Sequence, residues 1–169
     1  MIARESIYLP LFAMVETLLA PGAVPASPGV DAVPGVPTAQ QPFNLVSREV
    51  IEVQRVPPLL QPVLFMDEVM EEYVNDGNGL YYHRWTVFFH VGCAGPKGTA
   101  MATIMNPLID AVETLLSANI EDNLLQLGDV ITSAQFQGAS PKDLANNSTQ
   151  PQYRQAAAYM PFQILFPVI

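Results

Sequence analysis

Residues of the types and spacing that chemistry uses occur in a few places in this chain. One is Gly92-Cys93-Ala94-Gly95-Pro96-Lys97-Gly98-Thr99, a glycine-rich run between a strand-like stretch and a helix-like one. That is the context of a phosphate-binding loop, in which backbone amides and a lysine hold an anion at a helix N-terminus. The order of its last residues argues against that chemistry. Such a loop closes on Gly-Lys-Thr so that the lysine opens the helix, whereas Lys97 here precedes Gly98, and Pro96 removes an amide from the cradle. No apolar strand ending in a magnesium-binding Asp accompanies it. His83, His90 and Cys93 are the soft and imidazole ligands available. His83 and His90 are an odd number of positions apart, so a regular strand points them to opposite faces, where they cannot chelate one ion. His90 and Cys93 would be too few ligands for structural zinc, and a Cys-His nucleophile lacks an orienting partner. Asp67, Glu68, Glu71 and Glu72 offer carboxylates for hydrolysis, but an alternating strand divides them between its faces. Asn146 and Asn147 satisfy the N-glycosylation pattern and more simply mark a polar loop. No catalytic residue, cofactor site or metal site is assigned from these groups, and the chain is expected not to be an enzyme.

The elements that position these residues follow from hydrophobic periodicity. Ile7, Leu11, Met14 or Val15, and Leu18 recur at helical spacing with Glu5 and Glu16 off the stripe, which predicts an amphipathic helix rather than a secretory leader. Prolines 21, 25, 28, 34, 37 and 42 then rule out helix or interior strand, so 21–42 is expected to be an extended, proline-rich insertion. Leu45 to Val56 reads as a strand. Pro62 to Tyr73 and Leu80 to Val91 read as a hairpin around Asn75-Asp76-Gly77-Asn78-Gly79, the strongest turn signal in the chain. Asn106-Pro107 suits a helix start, although the helix could begin near Thr99, and Leu108, Ile109, Val112, Leu115 and Leu116 form its apolar stripe. Val130 to Phe136 and Ala156 to Val168 are the last strands, joined by a polar loop from Gly138 to Gln155. Pro161 confines its strand to an edge or a bulge. The expectation is one α+β domain over 1–169, with a mixed, mainly antiparallel sheet of about four to five strands and helices packed on it.

Composition narrows the function classes. Only 14% of the 169 residues are charged, against roughly 25% in an average soluble domain. An isolated monomer normally covers itself with such residues, so a surface made for other protein is expected. The 7 Lys and Arg against 16 Asp and Glu give a net charge of −9, which opposes the phosphate contacts that nucleic-acid binders depend on. One cysteine closes no internal disulfide. No run of about 18 apolar residues lacks a charge or a proline, so a transmembrane helix is not expected.

Taken together, several passages resemble the tail terminator, or minor tail, proteins of long-tailed bacteriophages. Arg4-Glu5-Ser6-Ile7-Tyr8-Leu9-Pro10-Leu11-Phe12 is similar to the family's opening helix, and Asn44-Leu45-Val46-Ser47-Arg48 to its first strand. The most specific passage is Thr103-Ile104-Met105-Asn106-Pro107-Leu108-Ile109-Asp110-Ala111-Val112-Glu113-Thr114-Leu115, with Leu125-Gln126-Leu127-Gly128 after it. Met160-Pro161-Phe162-Gln163-Ile164-Leu165 resembles the last strand, proline included. The 21–42 segment looks like an insertion where relatives have a short connection.

The resemblance implies a non-catalytic virion protein of the tail or neck, made in the host cytoplasm. It implies a hexameric ring that stops the tail tube and meets the head-side connector, with genomic DNA passing through its lumen unbound. Tail tube protein and head-completion protein are the partners so implied; a membrane is not. A neck connector or tail-tube subunit would share the composition, and a small α+β enzyme is the alternative of another class. The apolar end Phe166, Val168 and Ile169 is expected to contribute to an assembly contact.

Overall fold

The computed structural model describes residues 4–24, 29–123, 132–144 and 152–167. Helix α1 spans Arg4–Glu16, strand β1 Leu45–Ser47, β2 Val63–Asn75 and β3 Tyr81–Pro96. Helix α2 spans Met101–Asn123 and is followed by β4 Ser133–Phe136, β5 Ser140–Asp143 and β6 Tyr153–Pro167. The strands form one six-stranded sheet in the order β1-β2-β3-β6-β4, with β5 also on β6. Only the β1–β2 pair is parallel, so the fold is α+β with a mainly antiparallel mixed sheet.

Alternation along β3 decides which side of the sheet becomes the core. Trp85, Val87, Phe89, Val91 and Cys93 are buried beneath both helices, together with Leu64 and Met66 of β2 and Met160, Phe162, Ile164 and Phe166 of β6. Helix α1 adds Ile7, Leu11, Val15 and, just beyond its end, Leu18, which is the spacing predicted; Tyr8 joins them and donates its hydroxyl to the Met66 carbonyl at 3.0 Å. Helix α2 adds Met105, Leu108, Ile109, Val112 and Leu116. It begins at Met101, so Asn106-Pro107 lies inside it rather than at its cap. Pro107 is tolerated because it lies on the exposed face, where water can satisfy the carbonyl that loses its amide partner.

Several expectations about strands change. The first strand stops at Ser47 instead of reaching Val56, because the Ser47 hydroxyl takes the Glu49 amide at 2.9 Å and turns the chain. The chain then crosses the second face of the sheet, burying Val53 and Val56 on Val63, Phe65 and Ala157. Buried glutamines fasten this cover: Gln61 donates its side-chain amide to the carbonyls of Val53 and Val56, and Gln155 donates to Val53 from β6. The sheet exceeds the expected four to five strands because β5 lies within the predicted polar loop. It is exposed along its length and paired through its backbone and an ion pair of Asp143 with Arg154 of β6, so it has no apolar alternation to read. The expected strand from Val130 is described only from Ser133, residues 130 and 131 being outside the described set. Pro161 lies in β6, which is not an edge strand, but opposite it the outer neighbour slips register by one residue between Phe136 and Ser140, around Gly138 at φ 95°. The bulge expected from a strand proline is therefore on the partner.

The proline-rich insertion leaves the fold and returns on itself. Val24 and Val33 exchange backbone hydrogen bonds at 2.9 and 2.8 Å, and the Val36 amide donates to the Pro21 carbonyl at 3.1 Å. Its base is fixed by buried Asn44, which accepts the Gly35 amide at 3.0 Å and donates to the Gln61 carbonyl at 3.1 Å. Gly35 is obligatory, because a Cβ there would lie 2.8 Å from both the Ala23 nitrogen and the Pro21 oxygen. Gly92 is similarly constrained: a Cβ would come within 2.5 Å of a Val53 methyl. Gly92→Ala should thus push the cover off the sheet and destabilise the protein by about 1–3 kcal/mol, read as a lower urea midpoint at unchanged slope. An unchanged midpoint would mean that Val53 does not pack where it is placed.

Candidate functional site

The residues with chemical potential are brought together only in pairs, and each pair has a structural use. Residues Gly92 to Pro96 continue β3 and pair with Tyr153 to Ala157 of β6, so the supposed phosphate loop is mostly ladder. Its glycines serve close packing, Gly92 under Val53 and Gly95 against Ile104 of α2. The Lys97 and Thr99 amides already donate to the carbonyls of Gln152 and Pro96 at 2.9 and 3.0 Å. A cradle of free amides is therefore not built there.

The histidines occupy opposite faces, as their spacing requires. His83 lies on the helix-bearing side, with Nδ1 2.8 Å from Oε1 of Glu71 and its ring between Tyr73 and Phe166, the latter stacked at 5.0 Å. His90 lies on the other side, with Nε2 3.4 Å from Oδ2 of Asp67 and its ring against the edge of Tyr159 at 4.8 Å. Burial holds His90 below its ordinary pKa, and Asp67 opposes that only in part. Cys93 is fully buried on the face away from His90. Burial pushes its thiol up to about 12, which removes the thiolate a nucleophile needs.

The carboxylates are divided as expected, with an added cause. Pairing of β2 with β3 slips by one residue between Asp67 and Met70, so a bulge reverses the alternation of everything beyond it. Asp67 faces His90, Glu71 comes to the helix side with His83, and Glu72 meets Arg84 at 3.4 Å on the other face. The Glu68 side chain, Asn146 and Asn147 lie outside the described residues. Among the described residues, no three His, Cys, Asp or Glu side chains are arranged to hold a metal ion.

The expected assembly residue Phe166 is corrected. Phe166 is 3% exposed, its ring stacked on His83 and edge-on to Trp85 at 5.1 Å, so it belongs to the chain's own core. Val168 and Ile169 lie outside the described residues. The apolar surface lies elsewhere. At the tip of the β2–β3 hairpin, Tyr73, Leu80 and Tyr81 are 69%, 58% and 58% exposed around an open hollow of about 500 Å³. On the insertion, Val30, Val33 and Val36 are exposed, Val36 at 74%. Beyond Phe65, no described strand pairs with the outer edge of β2. Sequence reasoning missed the tip, although Tyr73, Leu80, Tyr81 and Tyr82 flank a turn where polar residues are usual; that contradiction was the available signal.

No protein-family model matches the chain, and no curated protein matches it. No helix among the described residues is long and apolar enough to cross a membrane.

Two tests follow from this chemistry. At about pH 8 iodoacetamide should leave Cys93 of the native protein unmodified while fully alkylating the urea-unfolded chain, read by intact mass; labelling of the native thiol would contradict its burial. Between the lowered folded pKa of His90 and its ordinary value of 6.5, the unfolded chain holds more protons. Stability from this group is therefore greatest above that window and falls as pH drops through it. His90→Gln should accordingly lose less stability than the wild type between about pH 7.5 and about pH 5.5 in paired urea titrations. Parallel losses in the two proteins would remove His90 as the cause.

Proposed function

We propose that the protein is a structural subunit of the tail terminator kind, which assembles as a hexameric ring in the neck of a long-tailed bacteriophage. In this reading the ring stops the growing tail tube, presents its other face to the head-completion or connector protein, and leaves a lumen for genomic DNA. The observation that carries the reading is the surface. Large apolar side chains stand in water at two separate places, the insertion and the hairpin tip, in a chain with 14% charged residues. Soluble monomers rarely keep such patches bare, whereas a ring subunit covers two flanks with its neighbours.

The resemblance of Arg4 to Phe12, Thr103 to Leu115 and Met160 to Leu165 to that family gives the assembly its identity. The residues in question have architectural uses: Leu11 and Val112 meet in the core under the sheet, and Phe162 packs among them. A role of this sort resides in surfaces, which agrees with the way His83, His90, Cys93 and the carboxylates are spent on the fold. The net charge of −9 suits a channel through which DNA slides without adhering.

Negative-stain images and sedimentation of the purified protein should show closed rings of six copies and no long tubes. Long stacks would assign the protein to the tube instead, and a strictly monomeric species at high concentration would sink the ring. A thermal-shift screen with nucleotides and divalent metals should leave the midpoint unmoved, since specific binding raises it; a saturable rise would favour the enzyme reading.

A further inference from the structure

We propose that the limb Val33 to Pro37 of the proline-rich insertion docks into the tyrosine-lined hollow at the hairpin tip of a second copy, joining copies head to tail. This rests on the reading of the protein as a self-assembling subunit and names the two surfaces that meet.

Among the described residues the hollow is lined by Tyr73, Gly79, Leu80, Tyr81, Tyr82 and Pro167, with no charged side chain among them. Exposed tyrosines around a shallow concavity form the kind of surface that accepts an extended proline-containing segment. Ring faces pack on the flat pyrrolidines, and phenol hydroxyls donate to backbone carbonyls that a proline-rich segment leaves outside a ladder. The limb supplies that segment as Val33-Pro34-Gly35-Val36-Pro37. Its two prolines fix φ near roughly −65°. Its backbone is already tied down at Val33 by Val24, at Gly35 by Asn44 and at Val36 by Pro21, while the Val33 and Val36 side chains point into water. A segment held in place before it binds loses little entropy on docking. Among the described residues that line the hollow or form the limb none is ionised, so none of these has to be stripped of a charge's hydration.

Position decides whose limb fills the hollow. The Asn44 amide donates to the carbonyl of Pro62, which puts the base of the insertion at the start of β2. The hollow begins at Tyr73, near the other end of that strand. At about 3.3 Å per residue the two are separated by roughly 33 Å of strand. The ladder that fixes Val24 to Val33 and Val36 to Pro21 prevents the limb from swinging across that span, so the occupant comes from another molecule. Two different patches at opposite ends make a heterologous contact, the class that closes into a ring when the rotation per step allows it. Matched hollows of two copies would instead give isologous dimers, which the test below separates.

The test uses two full-length variants at exposed positions, Val36→Asp and Tyr81→Asp, each confirmed as folded by its thermal transition. In sedimentation velocity each variant alone should be monomeric at ten times the concentration at which the wild type assembles. Mixed together they should form a one-to-one dimer and nothing larger, because each retains the half that the other has lost. Wild-type assembly by either variant overturns the proposal and leaves the ring reading standing, as does a mixture that stays monomeric. Dimers formed by Val36→Asp alone would assign the hollow to another hollow and also overturn it. Where the wild type itself fails to assemble, a synthetic peptide of residues 31–40 titrated into the Val36→Asp protein is decisive. Saturable tyrosine-fluorescence changes, weakened at least tenfold by adding Tyr81→Asp to the same chain, support the docking without any ring. Absence of binding at millimolar peptide overturns it.

Discussion

The β3–β6 ladder is the constraint on which everything else hangs. Its register is unbroken from Tyr82 opposite Pro167 to Pro96 opposite Tyr153. Since neighbouring side chains in a strand point to opposite faces, this single register sends Trp85, Val87, Phe89 and Val91 to the same side as Met160, Phe162 and Ile164. A slip of one residue would expose all of them together. Strand β2 is attached through β3, and β4 and β5 through β6, so the outer strands inherit their positions from the central pair. The helices then have one apolar face available, and their stripes bind there; each side chain so buried contributes about 1.5–3 kcal/mol.

The same ladder gives the chemically suggestive residues their structural partners. Cys93 is locked into an inward position, where burial suppresses its thiolate. Gly92 and Gly95 are small because Val53 and Ile104 press on the two faces of the sheet at those points, not because an anion approaches. His83 is stacked on Phe166 and bridged to Glu71, which closes the far end of the core where the helices give out. Polar groups in an antiparallel sheet of this length gain partners across strands, and those partners account for the pairs.

Much of this was legible in the sequence, and the failures have physical causes. The turn Asn75 to Gly79, the alternation from Tyr81 to Val91 and the helical stripes at Ile7, Leu11 and Val112 each reflect burial on one face, which periodicity records directly. Strand β5 was hidden because Ser140 to Asp143 is held by backbone hydrogen bonds and by one ion pair, Asp143 with Arg154, neither of which leaves an apolar alternation. The Leu45 to Val56 run misled because its β-branched residues serve different ends: Val46 is buried in the sheet, Val50 and Ile51 are exposed, and Val53 and Val56 are buried as a cover lying on a sheet and not as part of one. Phe166 misled for a related reason: proximity to the chain end suggested a free surface, whereas its strand places it between His83 and Trp85. The hairpin tip required knowing that Tyr73 and Tyr81 stay exposed once the described residues have folded.

The single extra residue between Asp67 and Met70 has a consequence of a different order. It changes the parity of β2 while β3 keeps a single alternation, so the odd-numbered residues of β2 beyond the bulge take the face that its even-numbered residues hold before it. Because Glu71 lies opposite Trp85 and Tyr73 opposite His83, losing one residue at the bulge would leave a plain ladder with every side chain beyond it on its present face, so the bulge absorbs an added residue in β2 without re-aiming the tip.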